Sequence, residues 1–144
     1  MLQKHDVNIL NSIYKNSRMA YDCTEMMNER CKNRELSSYL SAQQRHYAKA
    51  CNAAKNILAK NGEKVEKVPK SHLKMARMGI RMKTMRNKTA SNVAEIMYKG
   101  TNMGIIDIAK TVNTSRNAGD TTRILAEKLL SNEERYANGL KRFL

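Results

Sequence analysis

Apolar residues recur along most of the chain at alternating steps of three and four, the spacing that lines one face of an α-helix. A first stripe runs through Leu10, Ile13, Ser17, Ala20, Thr24, Met27 and Cys31. Asp6 precedes it as an N-cap, where a carboxylate accepts from the free N–H groups of a first turn. A second stripe joins Leu36, Leu40, Gln43, Tyr47, Ala50, Ala54 and Ile57, with Asn33 as its cap and Tyr39, His46 and Ala53 at its flanks. Asn61-Gly62 ends it, because glycine enters the left-handed region past a helix C-terminus at no steric cost.

Residues 63–69, closed by the only proline, read as a linker, and Ser71 then caps a shorter helix that ends near Met85. After a polar break at 87–91, Asn92 and Glu95 stand at capping-box spacing and open a third main helix to Asn113. Its stripe is Val93, Met97, Gly100, Gly104 and Asp107. Residues 114–119 form a turn, and Asp120 caps a last helix with the stripe Thr122, Ala126, Leu129, Glu133, Tyr136, Leu140 and Phe143.

Four long amphipathic helices predict an all-α four-helix bundle, a single domain over residues 1–144. The short connections make the first two long helices one antiparallel pair and the last two another. The connection between the pairs is long and carries its own helix, which makes it a helical crossover. No apolar run approaches the roughly 20 residues of a membrane-spanning helix. The start lacks the apolar segment of a signal peptide. Cys23, Cys31 and Cys51 are odd in number and lack C-x-x-C spacing, so they are expected to be reduced thiols in the cytoplasm.

A few stripe positions are polar, and they fall at mid-helix. Gln43 and His46 stand one turn apart on the second helix, and Glu133 and Tyr136 at the same spacing on the last. Here the chain resembles the ferritin-like superfamily, and looks most like its small bacterial members. Di-iron members of that superfamily carry Glu-x-x-His on two helices and a single Glu on each of the others. In this chain Gln43-Gln44-Arg45-His46 and Glu133-Glu134-Arg135-Tyr136 stand at the paired positions. Ser17, Tyr21 or Thr24 and Gly100, Thr101 or Gly104 stand where single carboxylates are expected. The resemblance spans nearly the whole chain as a helix pattern and implies a ferritin-like bundle with a degenerate di-iron motif.

Two iron ions need several anionic oxygen ligands to offset their charge in a buried site. Gln43 is neutral and Tyr136 would need its phenol deprotonated, which leaves Glu133 as the one mid-bundle carboxylate and His46 as the one imidazole. Three readings follow. Gln43, His46, Glu133 and Tyr136 form a buried polar network that satisfies itself and holds no cofactor. A single iron or manganese ion is held there, with Asp107 as a third ligand. A redox or iron-storage centre persists, as the superfamily implies. The first reading makes the protein a non-catalytic binding or interaction scaffold, and analogy with the superfamily makes it a homodimer. Neither a hydrolase motif nor a phosphate loop is present. Gly100 and Gly104 are spaced to let their helix approach a neighbour closely.

Charge adds a further element. The chain has 27 basic and 13 acidic residues, a formal net charge of +14, and residues 67–88 are rich in Lys and Arg without a single acid. On a helix Lys70, Lys74, Arg77, Arg81 and Lys88 share one stripe roughly 60° wide. Met75, Met78, Met82 and Met85 form the stripe beside it. The Met stripe is expected to pack on the bundle or on a second subunit, leaving the basic stripe solvated. Alternatively the basic stripe attracts a phosphate polyanion such as nucleic acid, with steep salt dependence, although no aromatic residue is there to stack on bases. An anionic membrane surface is the third option.

Overall fold

The computed structural model describes residues 2–144. They form five α-helices and a closing 3-10 turn, with no strand among the described residues: α1 (Lys4–Arg30), α2 (Arg34–Lys60), α3 (Lys70–Thr84), α4 (Ala90–Thr114) and α5 (Asp120–Leu140), the turn being Lys141–Phe143. No helix among the described residues is long and apolar enough to cross a membrane. The chain is thus all-helical, with a short helix in the expected long connection. α1 packs most extensively on α2 and α4 on α5, while α1–α4 and α2–α5 contacts join the two pairs.

Local chemistry sets the helix ends. Asn33 caps α2 by accepting from the Leu36 N–H at 2.9 Å. Gly62 closes it at φ 72°, with its N–H donating to Ala59 and the N–H of Glu63 to Leu58. Other caps differ from expectation by a few residues. Thr89 caps α4 by accepting from the Asn92 N–H at 3.2 Å, so Asn92 lies inside the helix. α3 starts after Pro69, which puts Ser71 in its first turn. Gly119 stands ahead of α5, and Asp120 is its first residue.

Asp6 is the third residue of α1, not its cap, and it ties two helix starts together. One carboxylate oxygen accepts from the Gln3 N–H at 3.2 Å and the other from the Gly119 N–H at 2.9 Å. An anion between two helix N-termini also meets both positive dipole ends. Burial alone would raise the Asp6 pKa, but these backbone donors outweigh it and hold the carboxyl below its usual value.

Two apolar clusters fill the interior. One joins the early part of α1 to the late part of α2 through Leu10, Ile13, Ala54 and Leu58, with Ala126 and Leu129 from α5. The other, at the opposite end, holds Met27, Leu36, Leu40, Val93, Met97 and Leu140. Most expected stripe residues are buried, and a few positions shift by one, since a straight helix has 3.6 residues per turn and an alternating three-four pattern only approximates it. Leu58 is buried where Ile57 was expected, Ala137 takes the place of Tyr136, and Ile108 that of Asp107.

The crossover is fastened to α1. Buried Asn11 accepts from the Glu66 N–H at 2.8 Å, and Lys15 pairs with Glu66 at 2.8 Å. α3 then docks through Ile80 and Thr84, its only buried residues. A bidentate ion pair from Arg77 to the buried carboxylate of Asp22, at 2.7 and 2.8 Å, adds a second anchor. The Met stripe does not pack on the rest of the chain. Met75, Met78, Met82 and Met85 are all more than half exposed, because α3 turns its Ile80 side inward.

Hydrogen bonds from Arg77 are the main cause holding the Asp22 carboxyl below its usual pKa. A carboxylate with a lowered folded pKa contributes stability that is complete above its unfolded pKa of about 3.9 and is lost as pH falls through the folded value. Asp22→Asn is therefore expected to lower the Tm at neutral pH. It should also reduce, without abolishing, the fall in Tm below about pH 4, since Asp6 contributes the same way. Trypsin at neutral pH should cut within residues 70–88 faster in this variant than in the wild type. Equal cleavage rates would show that the ion pair does not anchor α3.

Candidate functional site

Between the two apolar clusters each long helix turns a polar side chain inward. Ser17 from α1, Gln43 from α2, Thr101 from α4 and Glu133 from α5 are all at most 3% exposed, and Tyr47 of α2 joins them. Their hydrogen bonds run in one direction. The Thr101 hydroxyl donates to its own helix at Met97 O, 2.7 Å. The Gln43 amide donates to Thr101 Oγ1 and to the Tyr47 phenol oxygen, both at 3.0 Å. The Tyr47 hydroxyl donates to Glu133 Oε2 at 3.0 Å. Both amide hydrogens and both hydroxyl hydrogens are thereby used, so removing one member strands its neighbours. Burial first, and then the adjacent Glu133 charge, hold the Tyr47 phenol well above its ordinary pKa, so it stays a donor.

His46 lies at the edge of this layer, with Nε2 3.6 Å from Glu133 Oε1, which is ion-pair range and too long for a hydrogen bond. Its ring stacks at a tilt against Tyr136, 5.3 Å between centroids. Tyr136 is only half-buried, and its hydroxyl donates to Ala42 O at 3.2 Å, outside the network. Asp107 is exposed and makes no hydrogen bond with Gln43, Tyr47, Thr101 or Glu133, although it lines the cleft that reaches them. The expected constellation of Gln43, His46, Glu133 and Tyr136 is therefore corrected to Gln43, Tyr47, Thr101 and Glu133, with His46 facing the carboxylate.

The donor set does not fit a di-iron centre. One oxygen of the single carboxylate is committed to Tyr47, the Gln43 amide nitrogen points at hydroxyls, and the Tyr136 phenol serves a backbone carbonyl. Among the described residues no three His, Cys, Asp or Glu side chains converge as metal ligands do.

Several polar atoms in or beside the layer have no partner: Ser17 Oγ, Gln43 Oε1, His46 Nε2 and Glu133 Oε1. A cleft of about 450 Å³ between α1, α3 and α4 reaches the layer from the surface, with Tyr47 and Glu133 among the residues that line it. Cys23 also lines the cleft, and burial pushes its thiol up to about 11, as it does that of Cys51. The described cysteines are free.

The basic residues of the crossover separate into groups. Lys70, Lys74 and Arg81 are exposed around a groove of about 440 Å³ that α1 also borders through Arg18, a residue the stripe on α3 alone does not reveal. Arg77 borders the same groove but is drawn onto Asp22. Lys88 lies beyond the end of α3 and does not share its stripe.

Thr101 stands among the residues expected at a single-carboxylate position, whereas the i, i+3 spacing of metal ligands does not point to Tyr47. The available signal was a phenol on an otherwise apolar stripe, since a buried tyrosine hydroxyl needs a partner. Comparison with protein-family models, curated proteins and solved structures finds no match.

Tyr47→Phe removes one donor and one acceptor from the middle of the network and is expected to destabilise by about 1–3 kcal/mol in urea unfolding. Combined with Glu133→Gln the loss should be smaller than the sum of the two, because both act on one bond. Additive losses would show that the two side chains are energetically independent.

Proposed function

We propose that the protein is a ferritin-like four-helix bundle that serves as a non-catalytic binding or interaction scaffold, with a hydrogen-bonded polar layer where the superfamily holds two metal ions. One observation carries this reading. Each long helix delivers a polar residue to the mid-bundle level, yet only Glu133 is a carboxylate, and it is bonded to Tyr47. A redox or iron-storage role would require at least a second carboxylate at that level, and the candidate, Asp107, is exposed. The exposed Met face of α3 is the surface on which two copies would pair.

Protein purified without chelator is expected to contain well under one equivalent of iron or manganese per chain by elemental analysis. Stoichiometric metal with the spectroscopic signature of coupled ions would sink this reading.

A second reading, polyanion binding, is favoured by the grouping of Arg18, Lys70, Lys74 and Arg81 around one groove. Phosphate contacts of this kind give affinity that falls with salt, with a log–log slope of roughly −0.9 per neutralised phosphate on duplex DNA. Binding to a DNA duplex is expected to be weak, to show a slope of about −3 to −4, and to be lost in Lys74→Glu/Arg81→Glu. This pair leaves the Arg77–Asp22 anchor intact. Affinity that does not change between low and high salt would rule the groove out.

A further inference from the structure

The cleft that reaches the polar layer has the size and lining of a small-molecule site. Its volume of about 450 Å³ falls within the roughly 300–1,000 Å³ typical of ligand pockets. Its walls are mostly apolar, among them Met27, Ile80, Ile96 and Met97, and its deep end holds Glu133 and Tyr47.

Three glycines keep it open. Gly79 lies inside α3, and Gly100 and Gly104 inside α4, where each costs roughly 1 kcal/mol relative to Ala. All three line the cleft. The expectation that Gly100 and Gly104 let their helix approach a neighbour closely holds at 104, where Glu133 of α5 comes in, and not at 100. A Cβ at 79 or at 100 would meet no atom within 4 Å, so no neighbour requires a glycine there. A Cβ at 104 would stand 3.2 Å from Glu133 Oε2, the oxygen that accepts from Tyr47, so the bare Cα gives the carboxylate room. Gly104 leaves room for the Glu133 carboxylate, while at 79 and 100 a side chain would project into open space.

The deep end also holds polar atoms without a hydrogen-bond partner, although Glu133 Oε1 lies 3.6 Å from His46 Nε2. Glu133 and Ser17 each line the cleft, each is 2% exposed, and neither Glu133 Oε1 nor Ser17 Oγ makes a hydrogen bond. Lys83, Lys99 and Asp107 also line the cleft but are exposed, so the buried charge is that of Glu133, and an anionic acceptor there is matched by a ligand that brings a positive donor on an apolar body. A charge-assisted hydrogen bond is roughly twice as strong as a neutral one, whereas a carboxylate brought into the same apolar surroundings would be repelled.

We infer that this cleft binds a small apolar primary amine in its ammonium form, with the head hydrogen-bonded to Glu133 and Ser17 and the hydrocarbon body between α1, α3 and α4. The inference rests on the binding-scaffold reading and names the class of ligand. Ser17 accepts from the ammonium and remains free to donate. Tyr47 stays on Oε2 and fixes the carboxylate rotamer, which makes it a positioning residue for the site.

The probe is hexylammonium, with hexanol and hexanoate as comparators of the same length. Binding is read by calorimetry and by the methyl resonances of methionine labelled with carbon-13, in buffer containing EDTA, on protein whose metal content has been measured. Hexylammonium is expected to shift the methyls of Met27, Met75, Met97 and Met103, which line the cleft, and to leave Met78, Met82 and Met85, which do not. It should bind more tightly than hexanol, and hexanoate should bind least. Glu133→Gln keeps an acceptor for Tyr47 and should weaken hexylammonium by about tenfold or more while changing hexanol much less. Gly100→Leu and, independently, Gly79→Leu should fill the cleft and abolish both, with helical content retained by circular dichroism.

Hexanoate binding as tightly as hexylammonium, an unchanged affinity in Glu133→Gln, or shifts centred on Met78, Met82 and Met85 would each overturn the inference. Stoichiometric iron or manganese in the same preparation overturns the scaffold reading and, with it, a free Glu133. A metal-free protein with no preference for hexylammonium overturns the amine inference alone.

Discussion

The hydrogen bond from Tyr47 to Glu133 joins α2 to α5 at the level where the two apolar clusters meet. A carboxylate at this depth needs donors, and Tyr47 supplies one to Oε2. Meeting that need fixes the register of three helices at once, because the Tyr47 oxygen must also receive the Gln43 amide, and that amide must reach Thr101 on α4. Sliding any of these helices by one turn would break the sequence of bonds. Apolar residues of similar volume would often give equal or greater stability at such a level. The polar layer thus specifies alignment and keeps a charge at the centre of the fold, where dispersion contacts alone would not distinguish one register from the next.

The helices and most of their ends were legible because they follow from local chemistry. Asn33, Asn61 and Gly62 act where their side chains and backbone preferences predict. The errors at other caps share one cause. Where several residues with capping side chains stand close together, as at Thr89 and Asn92, only three-dimensional reach decides which one accepts. The drift from Tyr136 to Ala137 and from Asp107 to Ile108 came from extending a three-four alternation over a whole helix. The shifts are confined to single positions: Gln43, Glu133 and, farther along, Leu140 stand where the alternation puts them.

The candidate site was half legible. Polar residues on an apolar stripe marked its level in the fold, but its partners are set by which side chains face across the interior, and that information is not local. Charge behaved in the same way. The basic run of residues 67–88 is plain in the sequence, yet its effective pattern depends on other helices: Asp22 of α1 neutralises Arg77, and Arg18 of α1 extends the groove. The direction in which α3 turns its Met stripe depended on whether α1 and α4 receive the Ile80 side, which periodicity leaves undetermined.

That orientation has a chemical consequence. Among the described methionines, Met75, Met78, Met82, Met85 and Met103 stand more than half exposed, so these thioethers meet a dissolved oxidant before the buried ones. Oxidation converts a flexible apolar side chain into a polar, chiral sulfoxide that reductases can reverse. Met75 and Met103 flank the opening of the cleft, while Met27 lies fully enclosed farther in. A mild oxidant would therefore wet the threshold and the outer face of α3 while sparing the interior, changing what adheres to this side of the molecule without unfolding it.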